Sequence, residues 1–172
     1  MSNSDLETYL EKLEDFDSAM LVTRRGSELR ARPMAIASVT DAGRLAFLTS
    51  IDSGKVEEIT DDPRVNLALQ NGSRFMSISG NVMTSRDRAR IDALWSATYE
   101  PWFPKGKNDP TVTVLEVIPT YAEYWDNSGV QAIEALFQLG KAVLSDETPD
   151  FSDDAHDKID FPAAKRTGTD AS

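Results

Sequence analysis

Short apolar or alternating runs, separated by turn residues, predict β-strands along most of the first 125 residues. The runs are residues 19–23, 29–39, 44–49, 64–70, 75–83, 112–118 and 121–125. In residues 64–70 every second side chain is apolar, which is the pattern of a strand buried on one face. Asn71 and Gly72 follow as a strong hairpin signal. Tight links of this kind join antiparallel neighbours, so the pattern favours a barrel over a doubly wound parallel sheet.

The spacing of other apolar residues predicts helices around these strands. The predicted helices are residues 4–16, a short segment that ends at residues 61–63, residues 85–99 after a cap at Ser85, and residues 130–141. Gly80, inside one strand, predicts a bulge or a close approach of two backbones. From residue 145 onward the composition shifts to Asp, Ser, Thr and Pro, which predicts disorder. The chain therefore divides into a folded domain, residues 1–144, and an acidic tail, residues 145–172.

The turn from the third strand into the short helix collects hydroxyl groups and a cation. Thr49, Ser50 and Ser53 supply the hydroxyls. Gly54 loosens the backbone, and Lys55 adds the positive charge. Free N–H groups at a helix start also attract anions, so this corner suits a phosphate. An ordinary N-cap at Ser53 beside a solvated lysine explains the same residues, and both interpretations stay open at this point.

Composition excludes several classes of function. Eighteen basic and 29 acidic residues give a net charge of -11, which disfavours nucleic acid and anionic membrane surfaces as partners. There is no cysteine, and the single histidine, His156, lies in the tail. Thiolate chemistry, zinc–cysteine sites and a Ser-His-Asp triad are therefore not expected, and no metal site is predicted. The acidic N-terminus does not have the pattern of a signal peptide, so we expect a cytoplasmic protein.

The chain lacks the known nucleotide-binding motifs, but it contains several shorter motifs whose order along the sequence is informative. The chain has neither a dinucleotide-binding Gly-x-Gly-x-x-Gly nor a P-loop. It does have Arg-Pro-Met at residues 32–34, the corner at 49–55, Asp-Pro-Arg-Val at 62–65, a Trp-Phe-Pro-Lys-Gly-Lys-Asn-Asp-Pro loop at 102–110 and Tyr-Trp at 124–125. Together these resemble the pyridoxamine phosphate oxidase-like, FMN-binding split-barrel superfamily, and most closely its general stress protein branch. The resemblance covers residues 6–125.

The resemblance implies a mainly β fold with peripheral helices, built on a six-stranded antiparallel split β-barrel. It also implies a homodimer that binds two FMN molecules at its interface. The cofactor-binding residues that it implies are Arg32, Pro33, Met34, Thr49, Ser50, Ser53, Lys55 and Trp125, with the tryptophan contributed to the site by the partner chain. Trp102 and Phe103 match no general family position, although their loop could place them over the same cleft.

Three departures from the oxidase pattern bear on function. An Arg-x-His element that recognises the pyridoxal-type substrate is replaced by residues 126–131, Asp-Asn-Ser-Gly-Val-Gln, which disfavours vitamin B6 oxidation. Gly54 stands where the oxidase has a basic residue, so the phosphate would meet one charge fewer. Phe75 stands where the oxidase has a glutamine.

These observations favour an FMN-binding, stress-related flavoprotein. As an enzyme it would be an FMN-dependent oxidoreductase that transfers a hydride or electrons to a small substrate, and no catalytic residue is identified. A flavin-binding or sensing module without turnover is the first alternative. A split barrel that has lost flavin and acts as a dimeric interaction protein is the second. A deazaflavin is also compatible with the fold, although its longer anionic tail would need more basic residues than this acidic chain offers.

Overall fold

The structure, a computed structural model, describes residues 3–126 and 156–161. In chain order its elements are α1 (Asn3–Leu13), β1 (Ser18–Arg25), β2 (Glu28–Ala35), β3 (Ser38–Val39), β4 (Leu45–Ser50), α2 (Gly54–Asp61), β5 (Arg64–Asn71), β6 (Arg74–Ser85), α3 (Arg88–Leu94), β7 (Val112–Asp126) and β8 (His156–Asp160). Short 3-10 turns lie at Ala97–Tyr99 and Gly106–Asn108.

All strand pairs in the sheet are antiparallel, and they follow the order β2-β1-β5-β6-β7-β4-β3. The long strand β7 organises one end of this sheet. It pairs with β6 along one side; along the other, its first half pairs with β4 and its second half with β8. The mainly β, antiparallel fold expected from the sequence is confirmed, although the described residues form eight strands rather than six.

Strand β4 separates two hydrophobic cores. Leu45 and Phe47 pack into the larger core, and Ala46 and Leu48 pack into the smaller one. Successive side chains of a strand point to opposite faces, so β4 is buried on both sides. The larger core also receives Tyr9 and Leu13 of α1 and alternate residues of β5, and the smaller core receives Ile91 of α3 and Phe103. These two cores fix the position of the residues that follow β4.

The prediction for Gly80 is confirmed. The register between β6 and β7 shifts at Ser79 and Gly80, where Gly80 pairs with Pro119. A Cβ added at Gly80 would lie 2.5 Å from the carbonyl oxygen of Ile118. The same irregularity corrects the expectation that a strand ends at Pro119. A proline is tolerated at a bulge, where a ladder hydrogen bond is already missing, so β7 runs on without a break from residue 112 to 126.

The expected strand 29–39 is two strands, because the chain changes its neighbour at Ile36 and Ala37. The N–H of Ile36 donates to the carbonyl of Asp17, whereas the N–H of Ala37 donates to the carbonyl of Ala46 in β4. The link therefore passes from one end of the sheet order toward the other. This crossing brings β2 near β4.

The expected helix 85–99 is also shorter than predicted. Ser85 still belongs to β6, and the N-cap is Asp87, whose side chain accepts a hydrogen bond from the N–H of Ala89. The helix ends at Leu94 because the backbone of Trp95 is extended, with φ -67 and ψ 133. A separate 3-10 turn then brings Tyr99 into position.

Part of the expected acidic tail is ordered. Residues His156–Asp160 form β8 on β7, and Ile159 is buried in the larger core. Phe161 meets Tyr9 edge to face, with 5.0 Å between ring centroids. The apolar residues at 159 and 161 explain why this stretch differs from the disorder predicted for residues 145–172. The rest of that segment and the helix predicted at 130–141 lie outside the described residues.

In the part of the chain that the structure describes, no helix has the length and apolar character needed to cross a membrane.

We expect Gly80→Ala to lower the free energy of unfolding by about 1–3 kcal/mol, because the new methyl group would press on backbone at the bulge rather than on a mobile side chain. Urea denaturation of both proteins measures this difference. Gly54→Ala is the matched control, since a Cβ there meets no atom within 4 Å, and its stability should stay within about 1 kcal/mol of the wild type. Equal stabilities for the two variants would contradict the close packing at the bulge.

Candidate functional site

One cavity lies where β2 approaches β4, and its volume is about 450 Å³. This size is within the range of about 300–1,000 Å³ that is usual for small-molecule sites. Its lining residues are Ser18, Arg32, Pro33, Met34, Ala35, Leu48, Thr49, Ser50, Ser53, Lys55, Tyr99, Trp102 and Phe103. Apart from Ser18 at the start of β1, the lining comes from three segments far apart in sequence: β2, the corner from β4 into α2, and the loop after α3.

Seven of the eight residues predicted to hold a cofactor line this cavity. The exception is Trp125, which lies near the end of β7 and pairs with Phe75 of β6 and with His156 of β8. Among the described residues, Trp125 is not part of the cavity of its own chain. Its expected role in a partner's site stays a prediction. Trp102 and Phe103 do line the cavity, as their loop suggested.

The hydroxyl of Ser53 argues against the interpretation of the corner as an ordinary N-cap. Ser53 occupies the N-cap position of α2, but its side chain makes no capping hydrogen bond. Its Oγ is shielded from solvent and has no hydrogen-bond partner among the described residues. A buried hydroxyl without a partner costs about 1–3 kcal/mol, and buried polar atoms are normally satisfied. The corner is therefore not an ordinary capped helix start, and its geometry fits a ligand that accepts this hydrogen bond.

The first turn of α2 places Lys55 in the same cavity wall as Ser53. Its Nζ donates a hydrogen bond to Oγ1 of Thr49, at 2.8 Å. Burial, helped by the positive charge of Arg32, lowers the pKa of Lys55, and the carboxylate of Glu58 offsets this only in part. A bound anion would restore the favourable environment for the ammonium group. Lysine, hydroxyls and helix N–H groups together form a site with the chemistry of phosphate binding.

Arg32 is held by a buried carboxylate. Its Nη2 lies 2.7 Å from Oε2 of Glu58, whose side chain is only 4% exposed. Thr23 donates to the same oxygen at 2.5 Å, and Arg32 also donates to the hydroxyl of Thr23. The Thr23 hydrogen bond, followed by Arg32 and Arg30, lowers the pKa of Glu58. Arg32 is thus a fixed member of the cavity wall rather than a solvated strand residue.

Glu58 was not among the predicted site residues, although its carboxylate holds Arg32. The signal was its position between Val56 and Ile59, which are both buried on the inner face of α2. A charged residue on that face needs an opposite charge or hydrogen-bond donors. Tyr99 was also missed as a lining residue, because the predicted helix continued through it.

The cavity can hold a flat ring attached to a phosphate. Met34, Leu48 and Phe103 give it apolar surface, and the corner gives it hydrogen-bond donors. Among its described lining residues, the titratable side chains are Arg32, Lys55 and Tyr99. Burial raises the pKa of the Tyr99 phenol. The described lining therefore offers no carboxylate or imidazole for acid–base catalysis.

A family profile described as pyridoxamine 5'-phosphate oxidase like matches residues 4–150. The chain is also similar to protein bli-3 of Neurospora crassa, with 28% identity over 144 residues, which cover 72% of this chain and 69% of bli-3.

Two solved structures share the fold at similar identity. A protein of Jannaschia sp. CCS1 assigned as general stress protein 26 is 27% identical, with a TM-score of 0.66, and the match covers 92% of this chain and 99% of that one. The general stress FMN/FAD binding protein of Xanthomonas citri is also 27% identical, with a TM-score of 0.64, and the match covers 74% of this chain and 92% of that one.

We expect Glu58→Gln to destabilise the fold by about 3 kcal/mol near neutral pH, because it leaves the half-buried Arg32 without its counter-charge. Glu57→Gln is the control, because Glu57 is exposed, and this variant should keep nearly the stability of the wild type. The pKa of Glu58 lies below its ordinary value of 4.5, so the carboxylate stabilises the fold above that pH.

This stabilisation is lost as the pH falls through the lowered pKa. The difference in stability between the wild type and Glu58→Gln should therefore disappear in acid. Thermal unfolding of both proteins as a function of pH measures this difference. A difference that stays constant down to the lowest pH at which both proteins fold would show that the carboxylate charge is not responsible.

Proposed function

The chain belongs to the pyridoxamine 5'-phosphate oxidase-like family, and from that premise we propose that its cavity binds FMN and that the protein is a stress-related flavoprotein. Two structural neighbours at 27% identity support this proposal, one assigned as general stress protein 26 and the other named a general stress FMN/FAD binding protein. Neither name specifies a substrate.

The observation that carries the proposal is the buried hydroxyl of Ser53, which has no hydrogen-bond partner among the described residues. It lies in the same cavity wall as Lys55 and Thr49, at the start of a helix. FMN presents a phosphate dianion at the end of a flexible chain, and a phosphate oxygen is the acceptor that Ser53 lacks. Charge-assisted hydrogen bonds from a lysine to phosphate are among the stronger polar interactions in proteins.

The remaining predicted residues would orient the flavin ring. Residues 32–34 of β2 form one wall, and Met34 supplies apolar contact. Glu58 holds Arg32 in that wall, so the guanidinium group adds positive charge near the ring without moving freely. A bound flavin supplies hydride or electron transfer, and the protein's contribution is to orient it and to tune its surroundings.

We propose an FMN-dependent oxidoreductase acting on a small substrate. The sequence at residues 126–131 lacks the Arg-x-His element, so vitamin B6 is not the substrate we favour. A binding module without turnover is the second candidate. The observation in its favour is that the described cavity lining contains no carboxylate or imidazole.

We also propose a homodimer in which each site is completed across the interface. The position of Trp125 outside the cavity of its own chain supports this, because a partner subunit could bring the indole to the flavin. A cytoplasmic location stays a prediction from composition.

Lys55→Ala should weaken FMN binding about 10- to 100-fold in a fluorescence titration, since a hydrogen bond to a charged group contributes about 1.5–3 kcal/mol. Ser53→Ala should weaken FMN binding by a smaller factor. Riboflavin, which has no phosphate, should bind the wild type more weakly than FMN does and should be unaffected by either substitution.

Lys107→Ala is the matched control for Lys55→Ala. This lysine lies 3.6 Å from Asp92 and is not among the described cavity-lining residues. An equal loss of FMN affinity in both lysine variants would mean that the net charge of the protein, rather than a contact of Lys55 with FMN, causes the loss. No saturable FMN binding by the wild type would reject the flavin proposal.

Subunit complementation tests the shared site. Lys55→Ala and Trp125→Ala should each bind FMN weakly alone. After mixing and subunit exchange, a mixed dimer contains one site with an intact Lys55 and the partner subunit's Trp125 also intact, so a fraction of tight sites should return. If both residues acted within one chain, mixing would restore nothing.

A further inference from the structure

The loop after α3 gives the cavity three aromatic side chains, and two of them, Tyr99 and Trp102, have no role in the flavin site described above. Tyr99, Trp102 and Phe103 all line the cavity. Two neighbours in sequence behave in opposite ways: Phe103 is 5% exposed, and Trp102 is 74% exposed. Trp102 therefore presents a flat aromatic ring to solvent at the edge of the cavity, where a ligand could stack on it.

The loop is well anchored, so the exposure of Trp102 is a property of a fixed backbone. Phe103 packs in the smaller core, with its ring centroid 5.8 Å from that of Trp95. The N–H of Trp102 donates to the carbonyl of Tyr99 at 3.0 Å. Arg88 of α3 donates to the carbonyl of Asp109 at the far end of the loop, also at 3.0 Å.

Tyr99 brings a hydrogen-bond donor into the same wall. Its ring packs against Trp95, with 6.0 Å between centroids. Its hydroxyl makes no hydrogen bond to any residue that the structure describes, although the side chain is half-buried. Burial raises the pKa of this phenol, so it stays neutral and able to donate at neutral pH.

We propose that Tyr99 and Trp102 form the substrate subsite of the flavoprotein, for a flat aromatic molecule that carries an acceptor oxygen. The molecule would stack on the indole of Trp102 and accept a hydrogen bond from the hydroxyl of Tyr99. This inference rests on the proposed function, because it assigns the polar corner to the flavin phosphate.

Stacking and hydrogen bonding make separable contributions in this subsite. An indole face accepts many flat rings, so it selects for shape. A phenol in the wall of a cavity selects against ligands without an acceptor, because its hydroxyl then lacks a partner on the ligand. A ligand and its oxygen-free analogue therefore distinguish the two residues.

Menadione and 2-methylnaphthalene are suitable probes, since they share a ring and a methyl group and only menadione has carbonyl oxygens. The chain has no cysteine for the quinone to alkylate. Both probes would be titrated into the FMN-loaded protein and followed by the flavin absorption spectrum, and FMN affinity would be measured separately for every variant.

We expect Trp102→Leu to weaken menadione binding about tenfold. Trp102→Phe keeps an aromatic ring and should keep part of this affinity. Tyr99→Phe should weaken menadione about fivefold and leave 2-methylnaphthalene unchanged, which removes the preference for the quinone. FMN affinity should stay within about twofold in these variants. Leu29→Ala is the control, because Leu29 is also 74% exposed and lies outside the cavity.

Four results would overturn the subsite. Wild-type protein loaded with FMN could fail to bind menadione. Trp102→Leu could weaken FMN, which would make the indole part of the flavin site. Tyr99→Phe could affect both probes equally. Trp102→Leu could change the molecular mass in sedimentation equilibrium, which would mean that a second copy of the chain covers the indole. If the wild type did not bind FMN at all, the proposed function itself would be rejected. Failure of the subsite and failure of the proposed function are therefore distinguishable.

Discussion

The burial of β4 on both faces is the constraint on which the site depends. Its side chains alternate between the two hydrophobic cores, so the strand cannot slip by one residue without moving polar groups into one core and apolar groups out of the other. The strand ends at Ser50, and α2 begins four residues later. The hydroxyls and the lysine of the corner are therefore held by packing that lies behind them.

A second constraint is charge. The whole chain is strongly acidic, yet the cavity has two basic side chains and a helix N-terminus in its wall. Glu58 makes this arrangement possible, since its buried carboxylate compensates Arg32 and partly offsets the unfavourable surroundings of Lys55. The cavity keeps positive charge for an anionic ligand without leaving the half-buried arginine uncompensated.

Local patterns predicted most of the strands and the polar corner at residues 49–55, because alternation, turn residues and a strand-to-helix corner are all encoded within a few residues. Residues 32–34 of the cavity wall were predicted from the family resemblance. The features that the sequence did not predict depend on tertiary contacts. Nothing near Ile36 indicates that the next residue will pair with β4. Ser53 has the sequence of a common N-cap, and only the fold shows that its hydroxyl is buried and has no partner in the part of the chain that the structure describes. The ion pair of Glu58 likewise joins residues 26 positions apart.

A crystal structure of the protein with FMN would test the central claim most directly. The account predicts phosphate oxygens within hydrogen-bond distance, about 2.5–3.2 Å, of both Ser53 Oγ and Lys55 Nζ, with the flavin ring along residues 32–34. A flavin bound elsewhere, or a phosphate that leaves the Ser53 hydroxyl without a partner, would contradict it.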